Sequence, residues 1–422
     1  MLTQFLSLKS FATLCSLPIP KGLKLMNSNI NGIYNTNNTV EHLFYKQLFP
    51  ETFSYLNSLS NLDYLLLNKK ELKKVKEATE ELHRLFINAT EYILPIKNIW
   101  KRFGFSEKEW NIIKTNFKRT RNDYFYGRMD IGFSLDFSKI KIFEYNTGLC
   151  GDIYDSTSFQ NKIFNYYCKD KHLINETFSS GSFLLDSFAD RWSNIISNAK
   201  NKSVYFICTP SKMEKLILSS FIEALKKKNI KYKICYYAKG IEIDKTNNTL
   251  YDKETNQKID VLYKTYAWYK IFRELNKNKD SFFHYFLNQN TKIIEPSWKT
   301  VMGNKALLPY VYQLNKGHPL LLPSSFDPFD KCFGSDDLII EKGLKGRASM
   351  MTKKVKRSEI KKRKSDVIYQ KVFSDNVDET KKYYFIMGSW VVGKQFGGLL
   401  VKKSNKMINE YSCNVIPVRI KH

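Results

Sequence analysis

Between Tyr126 and Asn146 the chain reads YGRMDIGFSLDFSKIKIFEYN. Two alternating runs flank a short break containing Asp and Ser, the pattern of a β-hairpin or of two adjacent strands. On the first run Arg128 and Asp130 share a face, with Met129, Ile131 and Phe133 on the other. On the second, Glu144 and Asn146 share a face opposite Phe143 and Tyr145. A hairpin with an odd number of loop residues sets Asp130 across from Glu144. Two carboxylates, an amide oxygen and a guanidinium then occupy one surface. Hard oxygen donors of this kind suit Mg2+, which keeps several waters and completes its shell with substrate phosphates. The same spacing also describes the solvated polar face of an amphipathic hairpin, and spacing alone does not choose between the two.

The elements that must position this face come from a chain of 422 residues, long enough for two or three domains. A hydrophobic content of 43% with 15% aromatic residues argues for a folded protein. The net charge of +27 would draw polyanions, nucleic acid or a nucleotide among them. Lysine is abundant throughout, so part of that excess is diffuse composition. The seven cysteines, Cys15, Cys150, Cys168, Cys208, Cys235, Cys332 and Cys413, show no CxxC spacing, which fits an intracellular thiol-containing enzyme better than a disulfide scaffold. The six histidines form no HExxH, which argues against zinc. No run has the length and apolarity of a spanning helix. The first residues lack a charged start and a small-residue cleavage site, and they read as a cytosolic leader.

Residues 40 to 98 carry helical periodicity, including KKELKKVKEATEELHRLFINATEYIL. Trp100 and Trp110 read as packing residues. After Asn146 a glycine-containing turn leads into a helix that Asp152 or Ser156 could cap, leaving amides near the carboxylates. From Ser203 the order is strand, helix, strand (VYFICT, SKMEKLILSSFIEALKKKN, YKICYY), with IDVLYK as a third strand, as in a parallel sheet. No GxGxxG accompanies it. Lys264, Tyr266 and Trp268 follow the third strand, either as ligand contacts or as a basic and aromatic surface turn.

Further on, Lys305 opens an apolar helix-like stretch, and Lys342 ends a β-like run followed by Gly343, Gly346 and Arg347. Glycines let a backbone wrap close to phosphates, and lysines supply mobile charge. DVIYQKVFSD reads as a strand and hinge, and FIMGSWVVGKQFGGLLVKK as two strands about a Gly-Lys turn. KKVKRSEIKKRK, from Lys353 to Lys364, carries eight basic residues and reads either as a polyanion patch or as a solvated loop. Nucleic acid is the weaker of the partner readings, because no fold motif or ordered aromatic-basic interleaving supports it.

In order along the chain, YGRMD, KIFEYNTG, EPSWKTVMGNKALLP, GHPLLLPS, IYQKVF and MGSWVVGKQFGG resemble the glutathionylspermidine synthase family of ATP-dependent carboxylate-amine ligases, from about Phe105 to the C-terminus. The resemblance implies an α+β architecture: an ATP-grasp-like fold, an adjoining α/β substrate-binding (pre-ATP-grasp) domain and helical N-terminal elements. The corresponding division is residues 1–98, 99–290 and 291–422. It implies ATP and Mg2+ as cofactors, small-molecule carboxylate and amine substrates, an acylphosphate intermediate, a cytoplasmic enzyme and no obligatory protein partner. By the same resemblance Arg128 stabilises the transferring phosphoryl group, and Asp130, Glu144 and Asn146 bind metal. Lys305 and Lys342 bind nucleotide, Gln370 lies in the adenine-side hinge, and Lys402 stands where relatives place an arginine. Other positions depart from the family pattern. Thr147-Gly148-Leu149-Cys150 replaces Ala-Asp-Thr-Pro, Gly343 replaces a proline, Ala348-Ser349 replaces Glu-Gly, Lys403 replaces an acid and Val418 a histidine. An inactive nucleotide-binding or scaffold protein of the same fold is the alternative these departures suggest. The chain is too short for an added amidase domain of the bifunctional kind.

Overall fold

The computed structural model describes residues 64–162, 175–278, 281–288, 290–344, 351–377, 383–408 and 414–422. The N-terminal leader with Cys15, and Gly346, Arg347, Ala348 and Ser349 of the glycine loop, lie outside the described residues. Strand β1 (Leu65–Leu67) leads into a long helix, Lys69–Ile93. Asn68 starts that helix with a capping box, its side chain accepting from the Glu71 amide while Glu71 reaches back to the Asn68 amide. Val75, Ala78, Leu82, Leu85, Phe86, Ala89 and Ile93 recur at three- and four-residue spacing and are buried. Ser106 and Glu109 box the start of the next helix, Glu107–Thr120, where Trp110 is buried and donates to the Leu94 carbonyl. Trp110 is therefore a packing residue.

Next come β2 (Tyr126–Phe133) and β3 (Ile140–Asn146), which form an antiparallel hairpin. Strand β4 (Thr177–Ser179) precedes the helix Ser180–Ile196. The strand-helix-strand reading holds: β5 (Ser203–Cys208), the helix Lys212–Lys227 and β6 (Lys231–Tyr236), with β5 and β6 parallel. A hairpin that the periodicity did not reveal follows, β7 (Ile241–Asp244) with β8 (Thr249–Asp252). Asp244 builds its turn by accepting from the Thr246 and Asn247 amides. Strands β9 (Val261–Lys264) and β10 (Lys292–Ile294) complete a four-stranded parallel sheet in the order β10–β9–β5–β6, with helix Trp268–Lys277 between them.

The last third adds β11 (Ser324–Ser325), β12 (Leu338–Gly343), β13 (Thr352–Lys356) and β14 (Val367–Lys371), an antiparallel sheet in the order β11–β14–β12–β13. Then β15 (Tyr384–Val392) and β16 (Gln395–Ser404) turn about Gly393, whose φ of 61° suits a residue without a side chain. With β17 (Asn414–Ile416) they join the hairpin in a five-stranded antiparallel sheet, β17–β16–β15–β2–β3. Strand β18 (Val418–Lys421) runs between β1 and β4 in a small three-stranded sheet. Val418, in the position relatives give to histidine, is fully buried there, and its amide donates to Gln160.

One aromatic core seals the parallel sheet to the hairpin. Phe125 and Tyr126 pack with Phe188, Trp192, Phe221, Tyr263 and Trp390. The Lys264 turn is not a surface feature. Lys264 is buried, lies 4.8 Å from the centre of the buried Trp268 ring, and donates to the Tyr266 carbonyl. Burial lowers its pKa to about 7, although Glu295 opposes the shift.

Candidate functional site

Asp130 lies opposite Glu144, and Arg128 opposite Asn146, on the paired strands. The loop from Ser134 to Lys139 is even in length, so the pairing arises by a different route from the one the spacing suggested. A bulge between Asp130 and Ile131 leaves Phe143 as the extra residue on β3 and shifts the register by one. Without that bulge Asp130 would face Phe143 and the carboxylates would point to opposite sides. The Asn146 amide nitrogen donates to Asp130 Oδ2 at 3.2 Å and to Glu144 Oε1 at 3.4 Å, so the two carboxylates meet over a single atom.

Cations close around this pair. Arg128 Nε donates to Asp130 Oδ1 at 2.9 Å and its Nη1 to the Gly151 carbonyl at 2.8 Å and to Asp152. Lys305 Nζ stands 3.3 Å from Glu144 Oε2. Lys342 Nζ donates to the Phe143 carbonyl at 2.8 Å and to Gln370 Oε1 at 2.7 Å, while Gln370 donates to Ser324 Oγ at 3.3 Å. Lys402 reaches Asp152 from β16. Every residue singled out for this site from the sequence therefore falls in one connected group, spanning the five-stranded sheet, the β12–β14 sheet and the turn before helix Leu307–Leu314.

Asp152, one of the two residues that could cap the following helix, serves the site instead. It does not cap the following helix with its side chain; it bridges Arg128 and Lys402. Its backbone φ of 64° is one that Asp tolerates, and it turns the carboxylate back into the site. Lys402 is 250 positions away in the chain, beyond the reach of any local pattern.

Charge balance separates the roles. Burial pushes the Asp130 carboxyl above its usual range; Arg128 opposes the shift and the Glu144 charge adds to it. Burial also works against the Glu144 charge, but Lys305 and Lys342 hold its pKa down at about 2. Asp152 is likewise held at about 2 against its burial, by Lys402 and Arg128. Burial lowers Lys342 to about 8 in spite of Glu144. Three carboxylates and four cations (Arg128, Lys305, Lys342 and Lys402) leave the group one positive charge in excess.

Two carboxylates and one amide fit Mg2+, which takes few protein oxygens and the rest from water and phosphate. Among the described residues no group of three His, Cys, Asp or Glu gathers to hold a metal. Asn146 turns its NH2 toward both acids. A half-turn of the amide would present its oxygen instead.

A sequence model of the glutathionylspermidine synthase pre-ATP-grasp family matches residues 40–421. The chain belongs to this family. Glutathionylspermidine synthase from Crithidia fasciculata is 21% identical, over 82% of this chain and 57% of that protein. The bifunctional glutathionylspermidine synthetase/amidase of Escherichia coli K12 is also 21% identical, over 84% of this chain and 59% of that one. The chain thus spans about three fifths of the length of these relatives. Among solved structures, a glutathione synthetase-like effector from Globodera pallida in apo form covers 88% of this chain and 97% of its own. Its TM-score is 0.55 at 12% identity, a likeness of fold.

Membership of the family sharpens what EPSWK does here. Glu295 Oε1 accepts from the Phe125 and Tyr126 amides, both at 3.0 Å, and its Oε2 accepts from Lys299 at 2.5 Å. Lys299 also donates to the Tyr126 carbonyl, and its own carbonyl accepts from Thr147 Oγ1 at 2.6 Å. This buried pair pins both ends of the hairpin, so the segment supplies Lys305 as a site residue and Glu295 and Lys299 as its frame. Spacing and resemblance point to Lys305 alone.

The departures from the family pattern have local causes. Gly343 donates its amide to the Met351 carbonyl at 2.8 Å, and a Cβ there would lie 2.7 Å from Met351 Cβ. Proline has neither the hydrogen nor the room. Gly343→Pro should therefore lower the urea-unfolding free energy by about 3 kcal/mol and weaken nucleotide binding through its neighbour Lys342. A urea titration and a nucleotide-binding isotherm check the two effects. Lys403, where relatives carry an acid, lies 4.1 Å from the centre of the Tyr383 ring.

Proposed function

We propose that this chain is an ATP- and Mg2+-dependent ligase that joins a carboxylate to an amine through an acylphosphate, releasing ADP. The observation that carries this reading is the convergence of Asp130, Glu144 and Asn146 with Arg128, Lys305 and Lys342 across two antiparallel sheets. We take those two sheets as the halves of an ATP-grasp-like clamp and the parallel sheet as the pre-ATP-grasp, substrate-side unit. The family relationship supports the chemistry, and the identity of the acid and amine is left open by relatives of 21% identity.

Asp130, Glu144 and Asn146 would hold Mg2+, which would supply positive charge beside the β- and γ-phosphate oxygens. Lys305 and Lys342 bind the nucleotide phosphates once ATP draws them from Glu144 and the Phe143 carbonyl. Gln370, anchored by Ser324 and Lys342, borders the adenine. Arg128, held in plane by Asp130 and Asp152, steadies charge on the phosphoryl group as it passes to the carboxylate. Lys402 does similar work as a point charge without a guanidinium's fork.

Purified protein with ATP, Mg2+ and a panel of amino acids, short peptides, glutathione and amines tests the reading. ADP formation that depends on an acid and an amine together, with a product of the condensed mass, supports it. Nucleotide binding with no ADP from any pair in the panel favours the scaffold reading. A pH series adds a separate check. Lys342 loses its proton near pH 8 in the free protein. Nucleotide affinity should therefore fall as pH rises above 8, by up to about tenfold per unit. Lys342→Met should bind weakly at all pH values and lose that slope.

A further inference from the structure

Strand β13 is the outer edge of its sheet. Lysines on an exposed edge strand commonly discourage pairing with another chain, and Lys353, Lys354 and Lys356 answer that description. That account does not extend to the segment that follows. After the short turn Arg357–Glu359 the chain folds back, and Lys364 anchors it by donating to both Glu341 oxygens at 2.8 and 3.0 Å. This return brings Lys361 and Lys362 alongside the edge and closes a groove of about 720 Å³. Its charged lining is Lys353, Lys354, Lys356, Lys361, Lys362 and Lys364, opposed by Glu341 and Glu359.

The acids are already taken. Glu341 pairs with Lys353 and Lys364, Glu359 with Lys356, and nearby Asp327 with Arg363. Among the described residues Lys354, Lys361 and Lys362 form no ion pair, and all three are exposed. All three line the one groove, Lys354 from β13 opposite Ile340 and Lys361 and Lys362 from the returning segment, so a chain of anions there would meet three uncompensated positive charges. Alternation along β12 turns Glu341, with the Lys364 that it anchors, to the face opposite Lys342, while Lys354 and Lys356 of β13 pair across to Ile340 and Leu338 on the Lys342 face, so the groove wraps the edge of the sheet.

We propose that this groove binds the phosphodiester backbone of single-stranded nucleic acid. Ammonium groups accept phosphates as point charges without demanding one geometry. Lys354 and Lys356, on the Lys342 face of the strand, are about 7 Å apart along it, close to the repeat of successive phosphates in an extended strand, and a phosphate there would compete with the exposed Glu359 for Lys356. The apolar floor is Leu338, Val355 and Ile360, with no aromatic ring on which a base could stack. Binding is thus to backbone rather than bases, independent of sequence and strongly salt-dependent. An acidic protein partner fits less well, because protein interfaces draw their energy from large apolar or aromatic anchors that this groove lacks. The inference does not depend on the ligase reading.

The test is fluorescence anisotropy of the full chain with labelled oligo(dT) and with oligo(U) over a range of KCl concentrations. Engagement of the three unpaired lysines gives a slope of log K against log salt of about −2. Lys361→Glu with Lys362→Glu weakens binding to both oligomers at least about tenfold. Lys70→Glu with Lys76→Glu, an equal change of charge on the exposed face of helix Lys69–Ile93, weakens it less than about twofold. ADP formation and the urea midpoint of both variants match the parent. Should the groove variant lose stability, Lys361→Gln with Lys362→Gln gives the same ranking with a smaller drop. Equal weakening by the two charge reversals, no weakening by the groove variant, or equally strong competition by polyglutamate of matched charge overturns the proposal.

Discussion

Asp130→Asn is expected to cut Mg2+-dependent ADP formation by roughly 10²–10³-fold while the urea midpoint stays close to that of the parent. The substitution keeps an oxygen to accept from Arg128 Nε, and Arg128 retains Asp152 and the Gly151 carbonyl. It removes one of the two carboxylates proposed to hold Mg2+ and relieves repulsion with Glu144. Folding therefore loses little while the proposed metal site loses a ligand. Burial raises Asp130 above the usual carboxylate range, so a bound cation must displace its proton as the pH falls. Parent activity measured at limiting Mg2+ should fall on acidification, and more Mg2+ should restore it. Parallel losses of turnover and stability in Asp130→Asn would make this residue part of the frame and remove it from the metal site.

Much of that site was legible because it rests on two strands with period-two alternation. Arg128, Asp130, Glu144 and Asn146 had to fall on shared faces whatever the loop did. What alternation could not give was the bulge at Phe143. An extra residue in one strand is set by packing: Phe143 lies against Gly132 and Phe373, and a Cβ on Gly132 would meet the Phe143 ring at 2.3 Å. Lys305 and Lys342 were placed through family resemblance, since a lysine at the start of a helix or the end of a strand has many ordinary explanations. The bridge that Asp152 makes and the β7–β8 hairpin escaped for different reasons. The first depends on a partner on β16, and the second on strands too short and polar to register as alternation.

Glu295 and Lys299 were illegible in a further sense: a Glu and a Lys four residues apart are usually a solvated pair on a helix surface, worth a few tenths of a kcal/mol. Here the Glu295 and Lys299 side chains are 6% and 2% exposed, so neither charge has water to fall back on. Burial lowers the Lys299 pKa, and Glu295 resists that shift. Glu295→Leu removes the partner of a buried ammonium and the acceptor of the Phe125 and Tyr126 amides at once. The expected loss is about 3–5 kcal/mol of unfolding free energy, a large fraction of a domain's net stability. Lys299→Met alone strands the carboxylate and should cost a similar amount. The double variant Glu295→Gln with Lys299→Met removes both charges and keeps an acceptor for the two amides, and it should be more stable than either single variant. Urea unfolding of the parent, Glu295→Gln alone, Lys299→Met and the double variant measures the coupling directly, and simple addition of the two single losses would show that the pair is not held by its charges. The pair also fixes where β2 begins, two residues before Arg128. The stability regained by the double variant should therefore come with recovered nucleotide binding, since Asp130, Glu144 and Lys305 are untouched.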